Sequence, residues 1–313
     1  MNFLERALDG TNKLGKYILI FIIFLLGYTI GCIPILIIFV KQLMSQEGLP
    51  DVFFENYDFT LLGISHNMSL LLILIPFVVA FIACIIFIKL FHSRSFAETV
   101  NGTEKLRWNR AFFAFGIWFV LLLIDFAISY ALEPNNFVFQ FNLKSFIPLL
   151  VIVILLVPIQ TTCEELFFRG YLTQGVAAWT KNRWLAIIIP GVLFGLMHSF
   201  NAPISEYGFF VAIPYYILFG LILGFISVID DGIELAIGIH AANNVFLFSF
   251  ISDPTMPLPT VFEQISTDVN IVLMYITEVI MFGIIIFIFN KKYKWNFSIL
   301  GKKLVNNKEL PTE

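Results

Sequence analysis

The sequence predicts an all-α polytopic membrane protein, a bundle of about eight transmembrane helices. Three observations carry that reading. The chain is 59% hydrophobic and only 13% charged, whereas a soluble domain carries roughly a quarter charged residues. Apolar runs near the ~20 residues needed to cross a bilayer recur along the whole length. Lysines and arginines collect in alternate loops, as they do when successive helices cross a membrane.

The spans fall in order at residues 17–40, 70–90, 111–132, 147–172, 184–200, 209–229, 233–251 and 271–290. The first is too long for a signal-peptide core and lacks a small-residue cleavage site, so it is expected to stay as an anchor. The fourth is long, and the fifth and seventh are short. Of the 19 lysines and arginines, Arg169 lies inside a span, and Lys41 and Lys144 fall on one side. All the others fall on the opposite side. Arg6, Lys13 and Lys16 precede span one, and Lys89, Arg94, Lys105, Arg107 and Arg110 lie between spans two and three. Lys181 and Arg183 join spans four and five, and Lys291, Lys292, Lys294, Lys302, Lys303 and Lys308 follow span eight. This bias predicts two cytoplasmic termini in a cell membrane and an even span count.

No stretch between spans is long enough for a separate soluble domain. The chain divides into 1–145 with the first three helices, 146–251 as the chemistry-bearing core, and 252–313 with the last helix and a basic tail. The basic residues are scattered and the net charge is −3, so nothing points to nucleic acid. Richness in Phe, Ile, Asn and Lys points to an AT-rich bacterial genome. Cys32, Cys84 and Cys163 all lie in spans, at spacings that suit neither zinc nor disulfides. Gly27/Gly31, Gly191/Gly195 and Gly220/Gly224 are small-residue pairs of the kind that let helices approach closely.

The polar residues inside the spans carry the functional argument. Glu164, Glu165 and Arg169 interrupt an otherwise uncharged fourth span, at a cost of a few kcal/mol each on insertion scales. Glu165 and Arg169, four apart, share a helix face and can pair. Glu164 points elsewhere, so the two glutamates should have different partners. By the same spacing Phe194 and His198 share a face of span five, and His240 and Asn244 a face of span seven. Asp125 and Glu278, the other intramembrane acids, have no such company and suggest no role.

A carboxylate, two imidazoles and a carboxamide on three helices can do two kinds of hydrolytic chemistry. They can hold a metal such as zinc, which acidifies a bound water, with Glu164, His198 and His240 as the ligands. Alternatively, a desolvated glutamate can take the proton from water directly, with His240 and Asn244 donating to the oxyanion. Each group alone also has a structural reading, as an interhelical hydrogen bond or a buried ion pair. Two other classes fit the same residues. One is a proton-coupled transporter using Glu164, Glu165 and Asp125 as a relay. The other is a non-catalytic immunity or scaffold protein of the membrane.

The order Glu164-Glu165-x-x-x-Arg169, Phe194-x-x-x-His198, His240-x-x-x-Asn244 resembles the three-motif pattern of the CPBP family of intramembrane proteases. That family comprises the type II CAAX prenyl endopeptidases and the Abi bacteriocin-processing and immunity proteases. The resemblance covers roughly residues 147–250. It implies that Glu164 is the catalytic carboxylate and His198 its partner in activating water. It places His240 and Asn244 around the oxyanion and Glu165 with Arg169 in support. The substrate would be a membrane-embedded or membrane-associated peptide or protein. The cofactor is left as none or a divalent metal; the missing His-Glu-x-x-His argues for none.

One geometric difficulty follows from these spans. Glu164 lies ~25 Å along span four from the side opposite the basic loops, and His198 ~21 Å along span five from the basic side. On straight helices these depths disagree. A kink at Pro158, a tilt or a shifted helix end is needed to bring the two side chains together.

Overall fold

Local signals set where each helix begins and ends. In the computed structural model, residues 3–9, 11–45, 59–201, 204, 207–254, 256–265 and 270–305 are described. Helix α1 runs Leu14–Gly31 and α2 Ile33–Leu43. The single first span is therefore corrected to two helices. Pro34 lies at the start of α2 and has no N–H to continue the ladder of α1. Helix α3, His66–His92, starts where Ser65 Oγ accepts from the Met68 N–H at 3.3 Å. It stops where Ser93 turns left-handed (φ 52°). A short α4, Phe96–Asn101, opens with a capping box between Ser95 and Glu98. Helix α5 runs Trp108–Leu132.

Next comes a continuous 38-residue helical stretch, Leu143–Thr180. It consists of α6 (Leu143–Glu165), a π-helical segment Leu166–Leu172, and α7 (Thr173–Thr180). The expected end of the fourth span at residue 172 is corrected by about two further turns, Thr173–Thr180. Thr173, Gln174 and Thr180 dilute the hydropathy there, yet each is bonded inside the protein. Thr173 Oγ1 donates to Phe168 O at 3.0 Å, Gln174 Nε2 to Phe3 O and Glu98 O at 3.1 Å each, and Thr180 Oγ1 to Val176 O at 2.7 Å. Left-handed Lys181 (φ 55°) then reverses the chain, and Asn182 Oδ1 caps α8 (Arg183–Met197) at the Trp184 and Leu185 N–H groups. Helices α9 (Phe209–Ile229), α10 (Glu234–Ser249) and α11 (Ile271–Tyr293) complete the bundle. Spans five and seven thus end a few residues earlier than the hydropathy suggests.

Among the described residues, six helical stretches are long and apolar enough to cross a membrane, and α8 and α10 are shorter. Together they make the expected bundle of about eight helices. One addition was not legible. Three short strands, Phe137–Phe139 (β1), Ile251–Ser252 (β2) and Phe262–Gln264 (β3), form a sheet in the order β1-β3-β2. β1 is antiparallel and β2 parallel to β3. The sheet lies at the end of the bundle opposite the Lys181 turn. Gln140 Nε2 ties its loops together through Leu258 O (3.0 Å) and Thr260 Oγ1 (3.2 Å).

Small residues set the helix spacing. A Cβ at Gly191 would meet Gly220, one at Gly195 would meet Ile217, and one at Gly31 would meet Pro76. Gly191 of α8 and Gly220 of α9 therefore meet directly, and Gly195 and Gly224 each face an isoleucine of the other helix, as close-packing positions. The outward faces stay apolar: Ile86, Ile128, Leu155, Ile280 and Phe210 are all more than half exposed. Such a belt matches lipid rather than water.

The basic side of the bundle is more bonded than a list of cations suggests. Arg107 Nη2 reaches Glu234 Oε2 at 2.5 Å, Arg110 pairs with Asp230, and Arg183 reaches Glu5 Oε1 at 2.5 Å. Arg94 is buried and donates to Gln174 Oε1 (3.2 Å), Asn12 Oδ1 (2.9 Å) and Ala7 O (3.1 Å). Lys308 lies outside the described residues.

Candidate active site

The hairpin of α7 and α8 brings the first two motifs to one depth. Measured from the shared turn, Glu164 lies ~24 Å up the long stretch and His198 ~22 Å up α8 and its cap. The apparent mismatch came from ending the fourth span too early. The helix runs through Pro158, with Thr161 Oγ1 donating to Val157 O at 3.0 Å.

Glu165 is fully buried and holds two partners. Its Oε1 accepts from Arg169 Nη1 at 2.7 Å and from His240 Nδ1 at 2.7 Å. The pairing with Arg169 follows from their spacing; the link to His240 on α10 does not, because it joins distant segments. The Arg169 guanidinium also lies over the Phe194 ring, 3.9 Å from its centroid. That arrangement offsets the burial of a cation with a facing π system. Phe194 therefore serves Arg169 as well as its own helix.

Each histidine has one nitrogen committed. A carbonyl and a carboxylate only accept, so Nδ1–H of His198 donates to Phe194 O at 2.7 Å and Nδ1–H of His240 donates to Glu165. Both imidazoles are left with Nε2 for other work. His240 Nε2 faces Glu164 Oε2 at 3.6 Å. At 3.6 Å the two atoms are close but lie beyond direct hydrogen-bond distance. Oε2 of Glu164 is buried without a hydrogen-bond partner. His198, half-buried at the C-cap of α8, interacts electrostatically with Glu164, His240 and Arg169.

Asn244 sits one turn beyond His240. Its Nδ2 donates to Gln160 Oε1 at 3.0 Å, and its Oδ1 accepts from Asn243 Nδ2 at 3.3 Å. Gln160 was missed, although it precedes Glu164 by four and so shares its face. Tyr216 of α9 was missed too; its ring stacks on His198 at 4.4 Å. Nothing in its surroundings in the chain marks it. Asp125 and Glu278, expected to stand apart, are brought together: both interact with each other and with Tyr215, which also hydrogen-bonds Glu278.

Residues 143–246 match the family described as type II CAAX prenyl endopeptidase, Rce1-like. Over 254 residues the chain is 31% identical to the uncharacterized protein YyaK of Bacillus subtilis (strain 168), covering 81% of this chain and 83% of that one. The chain belongs to the Rce1-like family of type II CAAX prenyl endopeptidases. No solved structure matches it. The Rce1-like match starts with α6 and ends inside α10, so it contains all three motifs. Membership points to CAAX-type intramembrane protease activity, and with the apolar helices it makes this a multi-pass membrane protein.

A divalent metal would need converging ligands. Among the described residues no three His, Cys, Asp or Glu side chains gather closely enough to hold one. Nδ1–H of each histidine is given to a protein acceptor, and the Nε2 of each is left to face the site. The expected set Glu164, His198 and His240 is not gathered closely enough here to hold a metal.

Proposed function

We propose that the protein is an intramembrane endopeptidase that hydrolyses a peptide bond with water activated by Glu164 and His198. The observation that carries this is His240 held between two carboxylates, with Nδ1 on Glu165 at 2.7 Å and Nε2 toward Glu164 at 3.6 Å. A fixed imidazole beside an unpartnered buried carboxylate is the arrangement that acid–base hydrolysis needs.

In this reading Glu164 takes a proton from the water as its oxygen attacks the scissile carbonyl carbon. The Nε2 lone pair of His198 accepts the water's other hydrogen. His240, acting as an imidazolium whose Nδ1–H is held by Glu165, donates through its Nε2–H to the oxyanion, and Asn244 Nδ2 donates alongside it. Glu164 then passes the proton to the leaving amine as the carbon–nitrogen bond breaks. Arg169 neutralises Glu165, so Glu165 holds His240 without adding an uncompensated charge. Substrates are peptides or proteins in or at the membrane of a bacterial cell. The termini lie in the cytoplasm, in keeping with the bias of lysine and arginine.

The test compares membrane peptides from cells carrying wild-type protein with those from cells carrying Glu164→Gln. A precursor should accumulate only in the variant. The purified wild-type protein should cut that precursor, and Glu164→Gln, His198→Ala and His240→Ala should each slow cleavage by about 10²–10⁴-fold with folded yield retained. Wild-type cleavage by Glu164→Gln would remove the assignment.

A further inference from the structure

Three amides and one indole on three helices form a line of hydrogen bonds that ends beside the candidate site. Trp118 Nε1 on α5 reaches Asn243 Oδ1 at 3.4 Å, and Asn243 Nδ2 reaches Asn244 Oδ1 at 3.3 Å. Asn244 Nδ2 then reaches Gln160 Oε1 on α6 at 3.0 Å. Trp118 and Gln160 are both buried.

The direction of this line has a single origin. An indole N–H can only donate. Trp118 therefore makes the nearer atom of Asn243 the carbonyl oxygen, which turns the Asn243 NH₂ toward Asn244. Asn244 must then present its oxygen to Asn243 and its NH₂ to Gln160. Trp118 is itself held: its ring lies 4.7 Å from Phe282, and it is fully buried. A rotation of the Asn244 amide by half a turn would set oxygen against oxygen at Gln160 and NH₂ against NH₂ at Asn243.

We infer that Gln160, together with the Trp118–Asn243 pair, is a positioning element that locks the Asn244 carboxamide with its NH₂ toward the Glu164 face of α6. Asn244 Nδ2 carries two hydrogens, and Gln160 uses one. The second is left to donate to a substrate carbonyl. Gln160 precedes Glu164 by one turn, so the donor and the water-activating carboxylate are referenced to the same helix. The catalytic consequence rests on the oxyanion role proposed for Asn244; the relay itself does not.

The test uses full-length protein in detergent and has two independent readouts. First, the indole ¹⁵N–¹H resonance of Trp118 is identified by its loss in Trp118→Phe. It should move in Asn243→Leu, its direct partner, and also in Gln160→Met, three hydrogen bonds away. A resonance unmoved in Gln160→Met overturns the relay, whether or not the protein cleaves anything. Second, on the precursor identified above, Gln160→Met should lower kcat about tenfold or more, with KM within about twofold. Gln160→Glu, which keeps an acceptor for Asn244, should recover most of that loss. In an Asn244→Ala background, Gln160→Met should cost nothing further. A loss of equal size in that background would mean Gln160 acts independently of Asn244 and would overturn the proposal. A wild-type protein that cleaves no precursor sinks the protease reading, and the resonances still decide the relay.

Discussion

Replacing Glu165 by Gln removes one charge from a fully buried site while nearly preserving its shape. Arg169, also fully buried, then keeps its charge without its paired carboxylate, with the Phe194 ring over it and Glu164 as the acid that still acts on it. Breaking a buried ion pair from one side costs ~3–5 kcal/mol. The carboxamide oxygen can accept from Arg169 Nη1 or from His240 Nδ1, but less strongly than a carboxylate, which adds to the loss within that range. Glu165→Gln combined with Arg169→Met removes both charges, and roughly half or more of the loss should return. Stability is read by tryptophan fluorescence during an SDS titration of detergent-solubilised protein, for both single variants and the double. The two single losses added together should exceed the loss of the double variant by about 4 kcal/mol or more. Activity should not return with stability, because His240 has lost the carboxylate that orients it. If the two single losses simply add, the side chains do not act as a pair, and Glu165 must be considered as a second catalytic carboxylate beside Glu164. If the double variant regains full activity, the orientation of His240 by Glu165 is wrong.

Cleavage should survive strong chelators, because three ligands do not converge; stoichiometric zinc whose removal abolishes activity and whose return restores it would refute this. Reporter fusions near Asn101 and at Glu313 should read inside and one near Glu55 outside, and an external signal at Glu313 would break the topology. Glu98 supplies a pH signature. Burial alone would raise its pKa, but bonds from Ser95 and an ion pair with Arg6 hold it below the usual glutamate value. Its stabilisation should therefore be present above the ordinary glutamate pKa and lost as pH falls through the lower, folded value. Glu98→Gln should be less stable than wild type at pH 7 and equal to it in strong acid; a stability gap that persists in acid would contradict the ion pair.

What was legible in the chain were properties carried by local spacing or by a strong average. Hydropathy located the crossings, and the separation of four placed Glu165 with Arg169 and His198 with Phe194. Three motifs in order were enough to identify the family. What was not legible depends on partners distant in the chain. Gln174 looks like the end of a span until its acceptors on other segments, Phe3 O and Glu98 O, are known. The grip of Glu165 on His240, the approach of Asp125 to Glu278, and the burial of Arg94 are likewise contacts between helices. Gln160 is the instructive omission: its position on the Glu164 face was readable, but a lone amide gives no reason to be chosen until Asn244 is beside it.

The π-helical segment Leu166–Leu172 has a consequence for how the chain tolerates change. Each π turn absorbs about one residue more than an α turn, which is ~100° of azimuth. Upstream of it the helix must aim Glu164 and Glu165 at His240; downstream it must aim Gln174 at Phe3, Glu98 and Arg94. The wider turns act as a phase adjuster between these two fixed bearings. Deleting one residue between Leu166 and Leu172 would let the helix relax to a uniform α pitch, yet one end or the other would then face the wrong way. In this stretch the length of the chain is as constrained as the identity of its glutamates, although no residue in it need touch a substrate.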